Sequence, residues 1–189
     1  EWYILTFPSE GRTFVYDTQG AWFEWGEYDE GTASVVAHPM QECVYYRGQH
    51  LFADEGGSIH QLHADVYNHN GEVMSSGFRS HLIQSDGQRL YINKVLMDVR
   101  AGVGDAQMEL RISYDGGRTF SSWQSRELGL EGDYDQRIEW HRMGSGYNIV
   151  IEGRITDEVP REVTAGLVEV GVQEPYLDRR NSRPGIAVQ

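Results

Sequence analysis

Met108-Glu109-Leu110-Arg111-Ile112-Ser113-Tyr114 decides the fold class. Its apolar members Met108, Leu110, Ile112 and Tyr114 alternate with Glu109, Arg111 and Ser113. A period of two puts the two sets on opposite faces of an extended chain, which marks a half-buried strand. Working outward, Tyr147, Ile149 and Ile151 alternate with Asn148, Val150 and Glu152 in the same way. Further strands are predicted at Thr13–Asp17, Ala21–Trp25, Glu42–Tyr46, His50–Ala53, Ile59–His63, Tyr91–Arg100 and Gly166–Val172. Turn signals separate them, among them Thr18-Gln19-Gly20, Arg47-Gly48, Glu55-Gly56-Gly57, Asn70-Gly71, Asp86-Gly87, Asp115-Gly116-Gly117 and Ser145-Gly146. Such residues accept positive φ or bond their own backbone, so strands joined by them form hairpins. No stretch carries an amphipathic helical pattern. The chain reads as all-β.

The strand spacing divides the chain. Residues 1–70 read as β-propeller-like hairpins, the end of a larger domain, of the kind that build blades of about 40–45 residues. Residues 71–175 have longer strands and read as an antiparallel β-sandwich or meander. Asn68-His69-Asn70-Gly71 is polar and turn-rich, which suits a boundary. Residues 176–189 lack pattern and read as a mobile tail or a contact arm. The text opens at Glu1 inside the apolar run Trp2-Tyr3-Ile4-Leu5, so the expectation is a fragment or a processed product.

Twenty-nine acidic against 16 basic residues give a formal net charge of −13, and Lys94 is the single lysine. Affinity for phosphates comes from clustered Lys and Arg, so this balance disfavours wrapping around nucleic acid. It fits ordinary solubility, and equally an acidic wall past which DNA slides without sticking. No charged-then-apolar leader and no long apolar stretch is present, so neither membrane insertion nor secretion is expected. Cys43 lies in the apolar run Cys43-Val44-Tyr45-Tyr46 and is expected to be a buried, inert thiol.

Ser113-Tyr114-Asp115-Gly116-Gly117-Arg118-Thr119-Phe120 with Trp123 matches the Asp-box pattern, S-x-D-x-G-x-T-(F/W). The expected role of Ser113, Asp115, Gly117, Thr119 and Phe120 is structural. Asp115 accepts bonds from the turn's N–H groups, glycine supplies positive φ, and the aromatic packs underneath. Neither His60 nor His63, three apart on a strand and facing opposite ways, points to a metal. Glu24, Glu27, Asp29 and Glu30 lack the oxygen spacing of a calcium loop and read as a solvated loop. No nucleophile elbow, phosphate loop or dinucleotide fingerprint is present. No catalytic residue, cofactor or metal is expected, and the protein is not expected to be an enzyme.

Several blocks carry a family likeness. They are Tyr3–Pro8, Thr13–Asp17 and Gly20–Glu24, then Leu51–Asp54 through Ile59–Leu62, then Met108–Phe120 with Trp123. Gly132-Asp133-Tyr134, Arg137–Gly144 and Val150–Asp157 follow in order. Together they resemble the packaged-DNA stabilisation proteins of short-tailed bacteriophages over about residues 2–172. The family's long N-terminal part has no counterpart in the sequence. The resemblance implies a virion structural protein, made in the host bacterial cytoplasm and built into the tail as a hub or nozzle. It implies a ring of copies, sixfold, below the portal and adaptor, in contact with other tail proteins and passed transiently by double-stranded DNA. In such a ring Trp22, Phe23 and Trp25 are candidate interface residues, because both faces of their strand carry an aromatic. Arg137, Arg142 and Arg154 are candidates too, paired with carboxylates or set at subunit contacts. Two other readings share the fold class: a carbohydrate-binding or sialidase-like propeller with Trp22, Trp25 and Trp123 stacking on sugars, and a receptor-binding tail tip.

Overall fold

The computed structural model describes residues 2–29, 34–40, 42–63, 65–69, 71–100, 105–130, 132, 134–160 and 162–172. Among them the chain is all-β apart from one 3-10 turn at Pro8–Glu10. The strands are β1 Trp2–Phe7, β2 Arg12–Asp17, β3 Trp22–Asp29, β4 Ser34–Ala37, β5 Glu42–Tyr46, β6 Gln49–Ala53, β7 Ile59–Leu62, β8 Asn68–His69 and β9 Glu72–Val73. They continue with β10 Ser76–Arg79, β11 Leu90–Arg100, β12 Gln107–Ser113, β13 Gln124–Glu127, β14 Asp135–His141, β15 Ser145–Gly146, β16 Val150–Ile155 and β17 Glu162–Val172.

From β10 onward the strands form a sandwich. One sheet runs β10-β16-β12-β13, and the other places β14 and β15 on one side of β11 and β17 on the other. Alternation buries Leu90, Ile92, Val95, Met97 and Val99 of β11 against Met108, Leu110 and Ile112 of β12. Ile138 and Trp140 of β14 and Ile151 and Ile155 of β16 complete the layer. Apolar area removed from water on this scale is the main stabilising term, at about 25 cal/mol per Å². One seam of the sandwich is stitched. Trp140, fully buried on β14, donates its indole N–H to the Gln124 carbonyl of β13 at 3.0 Å. Arg126 of β13 reaches the Glu139 carbonyl of β14 at 3.3 Å.

Residues 2–62 build two smaller antiparallel sheets, β1-β2-β3-β4 and β5-β6-β7, and β8-β9 adds a two-stranded ribbon. Tight hairpins set their registers. Arg47 and Gly48 both take positive φ between Tyr46 and Gln49, the geometry that a two-residue hairpin turn requires. Few side chains here are fully buried: Thr13, Val15, Met40 and Phe52.

Several expectations are corrected. Cys43 is exposed, because β5 is an edge strand whose five residues all face solvent. Glu24, Glu27 and Asp29 belong to strand β3 rather than a loop, since β3 continues past Trp25 to pair with β4; Glu30 lies outside the described residues. Ser145-Gly146 is a short strand paired with Leu90 and Tyr91, not a turn. The strand expected from Tyr147 begins at Val150, and Tyr147 is exposed while Ile149 bridges to Ile83.

Candidate functional site

The hairpin after β12 is organised by one carboxylate. Asp115 accepts the N–H groups of Arg118 and Thr119 at 3.0 and 2.9 Å, the Thr119 hydroxyl at 2.7 Å and the Ser113 hydroxyl at 2.7 Å. The bonds from Thr119 and Ser113 hold the Asp115 carboxyl far below the usual carboxylate range. Gly116 and Gly117 supply positive φ, and the Gly117 N–H closes onto the Ser113 hydroxyl at 2.9 Å. Both oxygens of Asp115 accept bonds from its own turn, so the carboxylate holds the chain.

The chain leaving this turn lays Phe120 and Trp123 across the outer face of the four-stranded sheet. Arg111 stacks over both rings, with its guanidinium carbon 4.6 and 4.3 Å from the centroids. Arg79 covers Phe120 at 5.3 Å and Arg154 covers Trp123 at 4.2 Å. The same guanidinium groups meet carboxylates across the strands. Glu152 bridges Arg79 at 3.0 Å and Arg111 at 2.5 Å, and Glu109 takes Arg154 at 2.7 Å. Burial would raise the Glu152 carboxyl, but the bonds from Arg111 and Arg79 outweigh it and hold it below its usual range. The result is a ladder of aromatic, guanidinium and carboxylate groups spanning β10, β16 and β12. Sequence reading reached Phe120, Trp123 and Arg154 singly; their assembly depends on sheet order, which local spacing does not carry.

The remaining arginines lie elsewhere. Arg137 pairs in a two-point fork with Asp98 on the neighbouring strand at 2.7 and 2.9 Å, and that fork holds the Asp98 carboxyl below its usual range. Arg142 is exposed, with φ of 56°, and no ion pair holds it among the described residues.

In the N-terminal sheet the strand period separates the three aromatics of β3. Trp22 shares a face with Tyr3, Leu5, Phe7, Phe14 and Tyr16, and this face is open: Tyr3, Phe7 and Trp22 are 58, 47 and 59% exposed. Phe23 and Trp25 point the other way, edge-on to Trp2 at 6.0 and 5.6 Å. That second face leads to a junction the sequence did not announce. Trp25 lies 5.3 Å from His38, which stacks on His69 at 5.6 Å with ring planes 16° apart. Phe52, almost fully buried, contacts His38 and His60, and His60 meets His69 at 5.6 Å. Among the described residues no three His, Cys, Asp or Glu side chains converge on a position for a metal ion, and no helix is long and apolar enough to cross a membrane.

No curated protein matches the chain. The family model described as Bacteriophage P22 Gp10, beta-sandwich matches residues 77–171, half of the 189-residue sequence. The match covers the sandwich from within β10 almost to the end of β17.

Proposed function

Since the chain belongs to the bacteriophage P22 Gp10 beta-sandwich family and is thereby a phage tail structural protein of the virion, we propose that it is a tail hub or nozzle subunit. In this reading several copies form a ring on the portal axis, extend the DNA channel and help to retain packaged DNA. The ring contacts the portal, the adaptor and other tail proteins, and performs no catalysis. The sheets of residues 2–62 serve as propeller-like blades, and the Ser113–Phe120 hairpin is an Asp-box that braces the sandwich.

One observation carries the reading: among the described residues both parts of the chain leave apolar side chains exposed. Beside the open face of Tyr3, Leu5, Phe7 and Trp22, strand β17 is an eleven-residue sheet edge bonded to β11. Register places Val163, Val170 and Val172 of β17 on the inward row, opposite Val99, Ile92 and Leu90, yet they are 43, 37 and 48% exposed. Inward-facing valines on an open edge suit continuation by a neighbouring subunit, since exposed apolar edges otherwise invite aggregation. Trp123, the candidate for sugar stacking, already packs against Arg111 and Arg154 of the sheet.

Electron microscopy of assembled particles tests the proposal. A ring on the portal axis into which this chain fits supports it, and density confined to peripheral spikes refutes it. Sedimentation of the full-length protein with portal and adaptor gives a second measurement. A monomer at every concentration would count against the hub.

A further inference from the structure

We propose that the histidine junction between β3, β6, β7 and β8 is a proton-operated latch, holding the N-terminal sheets together while His38 is neutral and releasing them on acidification.

The junction is where these sheets meet. Trp25 comes from β3, His38 follows β4, Phe52 lies on β6, His60 on β7 and His69 on β8. Apart from Phe52 and Trp25, the rings that meet there are the imidazoles of His38, His60 and His69. Among the described residues, two charged groups face it. Glu27 of β3 contacts His69 Nδ1, and Asp54, in the turn after β6, meets His60 Nε2 at 2.8 Å. Arg12 and Glu24 pair with each other on the opposite face of the sheet.

Three imidazoles therefore share two carboxylates, and His38 is the one without a carboxylate in direct contact. Its Nδ1 accepts the Met40 N–H at 3.1 Å, and the His38 backbone N–H donates to the Thr13 hydroxyl at 3.2 Å. Protonating Nδ1 replaces an acceptor with a donor that faces another N–H. It also places a cation against His69, stacked on it, with His60 close by. His69 Nε2 is itself buried without a hydrogen-bond partner among the described residues, so a proton placed on it would find nothing to bond. Burial chiefly, then His69, pulls the His38 pKa down to about 4; Glu27 opposes this and His60 adds to it. A histidine whose folded pKa lies below its free value of about 6.5 contributes stability that is full above that value and lost as pH falls toward about 4. Among the described residues the core of the sandwich holds no histidine, so mild acidification acts first on the N-terminal half.

Hydrogen exchange of the whole chain, corrected for the intrinsic effect of pH, measures the latch. From pH 7 to about 4.5, amides of β2, β6 and β7 should lose protection by at least about tenfold, while those of β12 and β16 keep theirs. His38→Gln removes the titrating ring but keeps a neutral polar side chain, and should make N-terminal protection independent of pH over this range. Should that variant not fold, ring-proton NMR of the wild type decides: the His38 titration must coincide with the loss of N-terminal protection. Unchanged N-terminal protection at pH 4.5, an equal loss in His38→Gln, or His38 titrating at an ordinary value overturns the proposal.

Discussion

Replacing Trp140 by Phe tests whether a single side chain fastens the two sheets of the sandwich. Trp140 is fully buried on β14, and its indole N–H reaches the Gln124 carbonyl of β13 at 3.0 Å. Phe keeps an aromatic ring in the core but removes the donor and part of the ring system. The missing hydrogen bond costs about 1 kcal/mol. Losing roughly two buried ring carbons costs about 1.5 kcal/mol more, at about 0.8 kcal/mol for each. The sum, about 2.5 kcal/mol, lowers Tm by about 5–10 °C for a chain of this length. Trp140→Ala, which empties the site, should cost about 3–5 kcal/mol. Urea unfolding followed by far-ultraviolet circular dichroism is the assay, with exchange of β12 amides to confirm that the transition belongs to the sandwich. A lower midpoint with an unchanged slope is the expected signature. If Trp140→Phe melts within about 1 °C of the wild type, the indole bridge contributes nothing and the stitched seam is wrong.

Asp115→Ala should lower the urea midpoint of the sandwich by freeing the Arg118 and Thr119 N–H groups, whereas glycan hydrolysis abolished by the change would assign the carboxylate to chemistry. Because the Asp115 carboxyl is held far below its usual range, its contribution is present above about pH 4 and lost only in stronger acid; a turn that melts near pH 5 would contradict this. Cys43 should react fully with an aromatic disulfide reagent in the native protein, since it is exposed on β5; labelling only after denaturation would contradict that placement. The chain should bind double-stranded DNA weakly or not at all at physiological salt, and a fluorescence titration giving micromolar affinity with a steep salt slope would reveal an unshielded basic patch.

The sandwich was legible where strands are long and face a core on one side. β12 alternates so regularly that Met108, Leu110 and Ile112 could be assigned inward from spacing alone, whereas β11, read as a strand, shifts phase between Ile92 and Val95. Edge strands were harder to read. β13 is Gln-Ser-Arg-Glu, with no apolar period, and is held by pairing with β12 and by the Trp140 bond. β15 is a serine and a glycine, residues that local chemistry assigns to turns, and only its partners Leu90 and Tyr91 make it a strand. The open aromatic face followed from three aromatics in four residues of β3. The histidine junction did not, because His38, His60 and His69 sit on separate elements with no shared motif, and β8, which carries His69, is two residues long. The charged ladder was hidden for the same reason: Glu109 and Arg154 meet through the antiparallel register of β12 and β16.

That ladder also determines what the sandwich shows to a distant charge. Arg79, Arg111 and Arg154 carry three positive charges, and Glu109 and Glu152 return two, each held within 3.0 Å of a guanidinium. The two carboxylates cancel two of the three guanidinium charges at contact distance and leave a single net positive charge on the ladder. Physiological salt screens that residual charge over roughly 8 Å. A polyanion near this face would therefore meet the field of one charge rather than three, and added salt would weaken it further.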